Sequence, residues 1–352
     1  MTLLPSDEKV PRLSAFTRVV LWTALVFFVG SSLVAGWLVN FALTPGPQTP
    51  ETTSIVFIPR GASGKTISRL LAESKLIHDD PRFIILAKIM GKSKQLQAGE
   101  FSLHTSSKPL DVLEELVAAK PVEHYVTIPE GLRYTEIAAI FAEDGWTERE
   151  RFIERAQDQE FIQELGLGNI PSLEGYLYPD TYSLVRPAVD EKKLITMLVQ
   201  RALDVWQNLP GSQQAPDRHE VFTLASIIEK ETGQHEERPL IAAVFLNRLR
   251  KKMRLQSDPT VIYGINNHQG SLSRTDLKKP TPYNTYIIPA LPPSPICSPG
   301  KEALMAVLEP ASVEYLYFVS KNDGSHYFSK TLREHNQAVR TYQKRNQPKP
   351  QQ

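Results

Sequence analysis

Val221-Phe222-Thr223-Leu224-Ala225-Ser226-Ile227-Ile228-Glu229-Lys230-Glu231-Thr232 runs eight residues without a charge and then places three in a row. At helical spacing Phe222, Ala225, Ser226 and Glu229 fall on one face, and Leu224, Ile227, Ile228 and Glu231 on another. Both faces stay apolar until the glutamates arrive. The spacing therefore predicts a helix buried on two sides that ends at or near a cleft. A carboxyl in such a place resists ionisation, because desolvation disfavours its charged form. A neutral carboxyl near neutral pH is what general-acid chemistry requires. The competing reading is a solvated helix terminus.

Outward from this helix, the chain is of ordinary globular composition: 352 residues, 41% hydrophobic, 22% charged, formal net charge +1. No long basic run is present, so nucleic acid is not an indicated partner. The one cysteine, Cys297, excludes an internal disulfide and a cysteine zinc site. The eight histidines show no paired ligand spacing, so neither a metal nor another cofactor is expected. No Gly-x-Ser-x-Gly elbow is found, which leaves serine-nucleophile chemistry without support.

Towards the N-terminus, no charged residue occurs between Arg18 and Glu51. Residues 19–39 form an apolar run, about 32 Å long as a helix, which matches a bilayer core. Lys9, Arg12 and Arg18 precede it and the next basic residue is Arg60, an asymmetry that places residues 1–18 in the cytoplasm and the rest outside. A cleaved signal peptide is the rival, with only a weak small-residue site at Ser31 to Ala35. Residues 40–53 read as a stiff Pro-rich linker, and residues 344–352 as a polar disordered tail.

An internal repeat follows at an offset of 70 residues: Val56-Phe57-Ile58-Pro59-Arg60-Gly61 matches Val126-Thr127-Ile128-Pro129-Glu130-Gly131. Each copy predicts a short strand, a Pro/Gly turn and an amphipathic helix. The first copy continues through a helix at Pro81–Met90, a strand near Gln97–Leu103 and a helix at Leu110–Ala119. Gly61 to Thr66 suggests a phosphate loop, but Pro59 occupies the position where that motif needs its first glycine. In the second half, helices are predicted at Tyr134–Glu143, Thr147–Ala156, Lys192–Asn208, Glu220–Glu231 and Pro239–Lys251. From Asp258 to Gly300 little regular structure is expected, in a stretch of the kind that lines sites. A strand at Tyr315–Val319 and a hairpin turn at Asn322–Ser325 come next.

Candidate site residues lie in several stretches. Leu173 to Tyr182 packs Tyr176, Tyr178 and Tyr182 between Glu174 and Asp180. Tyrosine faces stack on sugars and carboxylates accept sugar hydroxyl protons; a plain apolar strand fits equally well. Asn247 and Arg248 end a helix, where they could orient a carboxylate or simply cap the terminus. Gln256, Asp258 and Tyr263, then Tyr283 and Asn284, add neutral polar and aromatic groups that suit carbohydrate better than phosphate.

Taken together, LEGYLYPDTY (173–182), ASIIEKET (225–232), NRLRKKMRLQSDPTVIYG (247–264), YNTY (283–286), LPPSPICSPG (291–300) and YFVSKNDGSHYFSKTLREHN (317–336) resemble the endolytic murein transglycosylases, the YceG-like family. The resemblance spans roughly residues 54 to 340. It implies an α+β fold: one transmembrane helix, a small LysM-like module at 54–122 and a larger mixed catalytic domain at 123–343. It implies an inner-membrane anchor, a periplasmic catalytic domain, and peptidoglycan glycan strands as substrate. Cleavage within strands would leave 1,6-anhydro-N-acetylmuramic acid ends, terminating nascent strands near peptidoglycan synthases. By motif, the first Glu of the triplet, Glu229, is the implied catalytic acid. Glu174, Asn247, Gln256, Asp258, Tyr263 and Asn284 are implied substrate-site residues, joined by Tyr176 and Tyr283 as candidate stacking faces. Ala290 and Ser294 stand where the family usually has glycine. A muramidase-type hydrolase using Glu229 with Asp258 or Glu231, and a non-catalytic peptidoglycan-binding scaffold, are the alternatives.

Overall fold

The computed structural model describes residues 14–47, 52–187, 189–215, 217–265 and 270–343. The residues divide into two compact units, one reaching to Glu123 with Val185–Pro187 added, the other built from His124–Leu184 and the later chain.

The first unit opens with α1 (Ala15–Leu43), whose start is capped by the Ser14 hydroxyl. Its 29 residues exceed the expected span at both ends. It is long and apolar enough to cross a membrane, and its most apolar window is entirely unburied. Phe41 and Ala42 are buried in the core of this unit, and the Gly46 N–H donates to the Ser107 carbonyl at 3.1 Å. Of the expected Pro-rich linker, residues 40–43 belong to α1 instead, and Phe41, Ala42 and Gly46 are buried in this unit because Phe41 finds an apolar core to enter. The linker's residues 48–51, the terminal 344–352 and the first 13 residues lie outside those described.

Next come β1 (Thr53–Ile58), α2 (Gly64–Glu73), α3 (Arg82–Ile89), β2 (Gly99–His104) and α4 (Pro109–Ala118). β1 and β2 pair antiparallel, with Val56 opposite Phe101. Alternation puts Val56, Ile58, Phe101 and Leu103 on one face, where Leu71, Phe83, Leu86 and Leu113 cover them. The Ser63 hydroxyl caps α2, so this glycine-containing turn serves as an ordinary helix start.

The second unit begins with the second copy of the repeat: β3 (Glu123–Thr127), α5 (Tyr134–Glu143), α6 (Arg149–Ala156) and α7 (Gln159–Glu164). β3 pairs with β4 (Thr181–Val185), and α8 (Glu191–Gln207) follows. Then come α9 (Arg218–Glu231), α10 (Arg238–Arg250), α11 (Asp258–Gly264), α12 (Lys301–Leu308), the hairpin β5 (Tyr317–Ser320) and β6 (His326–Ser329), and α13 (Leu332–Tyr342). The expected irregularity from Asp258 is corrected by α11. Pro259 sits in its first turn, where the missing N–H costs no hydrogen bond. α13 was not expected, although Thr331 and Glu334 make a complete capping box. The hairpin strand starts at Tyr317, two residues later than expected.

α9 is buried on both sides because it separates two apolar cores. Phe222 and Ala225 join the larger one, with Phe141, Tyr176, Leu198 and Leu304. Leu224, Ile227 and Ile228 join the other, with Ile241, Phe245 and Leu255. Every residue from Val221 to Ile228 is buried. The polar Ser226 is satisfied within this wall: its hydroxyl donates to the Thr223 carbonyl and accepts from the Ile296 N–H.

Candidate active site

The two glutamates at the end of α9 enter different surroundings, since residues two apart on a helix diverge by about 200°. Glu229 is 7% exposed. One carboxylate oxygen accepts from Arg238 Nη2 at 2.9 Å and the other from the Gly300 N–H at 3.0 Å. Arg238 is itself buried and also faces Glu130 at 3.6 Å. Its Nε and Nη1 are buried without a partner among the described residues. Burial raises the Glu229 pKa, opposed by the Gly300 hydrogen bond and the Arg238 charge. The backbone is fitted closely here, because a Cβ at Gly300 would overlap the Glu130 carboxylate.

Glu231 faces the other way. Its carboxylate accepts the Ser257 hydroxyl at 2.5 Å and forms no ion pair among the described residues. Burial pushes its pKa up to about 7; the Ser257 hydrogen bond opposes this, Asp258 adds to it, and the Arg248 charge opposes it further. It opens on a cleft of about 390 Å³ lined by Gln256, Asp258, Tyr286, His326 and His335 among others. The cleft wall is held firmly. The Ser257 N–H donates to Thr285 Oγ1 at 2.9 Å, the Gln256 N–H to the Thr285 carbonyl at 3.1 Å, and Thr260 Oγ1 to the Ser257 carbonyl at 2.7 Å. Gln256 adopts φ 55°, a left-handed conformation that non-glycine residues adopt rarely and that clusters at functional sites. Tyr286 donates its hydroxyl to Asp258 at 2.7 Å.

The remaining sequence candidates are dispersed. Glu174 is fully buried; it accepts from the Tyr134 N–H and from the Tyr263 hydroxyl, both at 3.1 Å. Burial pushes its pKa up to about 8. Tyr263 and Tyr283 meet at 4.7 Å between ring centres, and Arg133 lies over the Tyr263 ring. Tyr283 also hydrogen-bonds Ser294 at 2.7 Å, so the side chain at this glycine-type position holds the aromatic pair. Tyr176 is a core residue, stacked on Phe222 and bonded through its hydroxyl to His219, with no free face for a sugar. Asn284 is buried and donates to the Leu277 and Lys279 carbonyls, closing its own loop. Asn247 donates to the carbonyls of Val313 and Tyr315, beside a groove separate from the Glu231 cleft. Of the candidates, Arg248, Gln256 and Asp258 line the cleft with Glu231.

Sequence reasoning passed over Tyr286, His326, Glu237, Arg238 and Glu130. Tyr286 belongs to the quoted YNTY motif. The others become neighbours only when distant segments meet, and nothing local marks them.

The fold and its paired carboxylates sit within a defined class: the chain belongs to the YceG-like family, whose model matches residues 56–341. An endolytic murein transglycosylase of Bacillus subtilis (strain 168) is 32% identical over 316 residues, covering 85% of this chain and 88% of that protein. One of Streptococcus pneumoniae (strain ATCC BAA-255 / R6) is 29% identical over 85% of this chain, which spans 60% of that longer protein. The crystal structure of a putative yceG-like protein from Listeria monocytogenes superposes with TM-score 0.56 at 33% identity, over 82% of this chain and 99% of that one.

Proposed function

We propose that this chain is a membrane-anchored endolytic murein transglycosylase whose catalytic acid is Glu231. The observation that carries the reading is an enclosed carboxyl with no ion-pair partner among the described residues, opening on a polar cleft with Gln256, Asp258 and Tyr286. Family membership and the relatives' names support the reaction class. Protonated Glu231 donates to the oxygen leaving C1 of N-acetylmuramic acid. Positive charge develops at that carbon, and the sugar's own C6 hydroxyl closes onto it. The proton released by that hydroxyl in the end restores the acid, and a 1,6-anhydro end remains. Asp258, exposed and bonded to Tyr286, suits stabilisation of the positive charge.

Glu229, the acid implied by motif, is the competing assignment. Its burial and raised pKa favour it; the Arg238 guanidinium at 2.9 Å stabilises its charged form and opposes it. Glu174, Tyr176, Asn247 and Asn284 act in this reading as supports of the site frame, and Tyr263 and Tyr283 as a nearby aromatic pair. A water-adding muramidase has one observation in its favour, since Asp258 shares the cleft with Glu231. Mass spectrometry of products from defined glycan strands decides: anhydro ends support the transglycosylase, and products heavier by one water reject it.

The anchor is α1, with the N-terminus cytoplasmic and the chain after the span on the periplasmic side. The strand–helix–helix–strand order of the first unit fits a LysM-like module that holds glycan. Cleavage next to peptidoglycan synthases would terminate nascent strands.

A further inference from the structure

The β5–β6 hairpin brings a histidine to the cleft that no motif assigned. His326, opposite Ser320 in the hairpin register, lines the same cleft as Glu231. Glu237, in the turn before α10, holds it twice: one carboxylate oxygen accepts the His326 N–H at 2.8 Å, and the other meets Nδ1 at 2.6 Å. Both side chains are largely buried, at 13% and 14% exposure. The ring also packs edge-on against Phe318 at 5.5 Å. With Nδ1–H donating to Glu237, the neutral ring has Nε2 as its acceptor, and Nε2 has no protein partner among the described residues. A histidine fixed in backbone, tautomer and ring plane by a carboxylate is built to move protons. This ring lines the cleft that Glu231 also lines, with one nitrogen held by a carboxylate and the other left without a protein partner among the described residues.

We propose that His326, positioned by Glu237, is the base that receives the proton of the attacking sugar hydroxyl. The inference rests on the Glu231 reading above. His326 Nε2 takes the proton of the C6 hydroxyl as its oxygen bonds to C1. The bond from C1 to the leaving sugar breaks, and the departing oxygen takes the Glu231 proton. The imidazolium then returns its proton to the Glu231 carboxylate, restoring both groups, and neither water nor an oxidant enters. The charged and titratable groups around His326 are Glu237, Glu231 from α9, Arg248 from α10, Asp258 from α11, His335 from α13 and Tyr286. Glu237 is the one bonded to the ring.

The test uses the full chain in detergent with defined glycan strands, comparing His326→Gln, Glu237→Gln and Glu231→Gln for kcat, KM and melting temperature. His326→Gln should lower kcat by about 10²-fold, with KM within about threefold. Glu237→Gln should lower kcat by about tenfold or more with KM within about threefold, because the ring loses the acceptor that fixes its tautomer and plane. A merely structural role for Glu237 would change the melting temperature and leave kcat in place, which overturns the proposal. A folded His326→Gln enzyme with kcat within about threefold of wild type overturns it as well. Should that variant not fold, the kcat of Glu237→Gln decides alone. If Glu231→Gln remains active, the underlying reading fails; if it is inactive while His326→Gln is not, only the histidine's role fails.

Discussion

Glu229 and Glu231 are separated by one lysine and live in different electrostatic worlds. Glu229 is clamped by a buried arginine and a backbone N–H at the loop before α12. Glu231 is enclosed with a serine hydroxyl as its hydrogen-bond donor, at the wall of a cleft. Both carboxyls are desolvated, so burial alone does not separate an acid catalyst from a structural anion. The neighbouring charge does. A guanidinium in contact offsets the desolvation of Glu229 and favours its ionised form, whereas at Glu231 a hydroxyl and the non-contacting Arg248 charge offset it only in part and Asp258 adds to it.

The comparison breaks most visibly in kinetics. Glu231→Gln should lower kcat by about 10²–10⁴-fold with the melting temperature preserved, since it keeps the shape and removes only the proton donor. Glu229→Gln should act chiefly on stability, by leaving Arg238 short of its partner. Glycan cleavage and thermal melting measured on both variants would reverse the assignment if the two results were exchanged.

A next-largest effect is expected at Arg238. Arg238→Met strips Glu229 of its buried counter-ion and should destabilise the second unit by about 3–5 kcal/mol in denaturant unfolding. Adding Glu229→Gln should recover part of that loss, because no buried charge is then stranded. Equal losses in the single and double variants would mean that the pair contributes little.

Glu174 sharpens the contrast through pH. Its carboxyl is raised to about 8 in the fold, against an ordinary value of 4.5. The folded state therefore binds more protons than the unfolded one between these limits. The stabilisation is fully present below pH 4.5 and is lost as pH rises through about 8. Wild type should lose on the order of a few kcal/mol across that window, and Glu174→Gln should flatten the loss. Melting temperatures at intervals between the two limits test this.

The smallest expected effect is at Tyr286→Phe, which removes the hydroxyl held by Asp258. Loss of one such hydrogen bond at an exposed acceptor should change KM or kcat by less than about tenfold. A larger loss would mean that Asp258 depends on this hydroxyl for its part in stabilising the developing charge.

Several parts of this architecture were readable along the chain. α5 was expected at Tyr134–Glu143 and spans those residues. The buried α9 followed from an uninterrupted apolar run, and α1 from its length without charge. The repeat showed itself as Val56 and Ile58 matching Val126 and Ile128, all buried, the last just past the end of β3. Other features were hidden for identifiable reasons. α11 was obscured because Pro259 reads as a breaker, although in a first turn it is harmless. Tyr176 looked like a sugar platform because a tyrosine among carboxylates has the same composition whether it is exposed or stacked in a core.

Periodicity, length and charge order determined the membrane-length helix near the N-terminus, the two strand–turn–helix copies and the helix with carboxyls at its buried end. These are local or repeating properties, and each residue's contribution depends on its near neighbours. Only the tertiary structure decided which carboxyl meets Arg238 and which opens on the cleft, and that His326 stands over that cleft on Glu237. The partners come from segments as far as 89 residues apart. Their meeting is set by the packing of both apolar cores around α9, which no spacing along the sequence encodes.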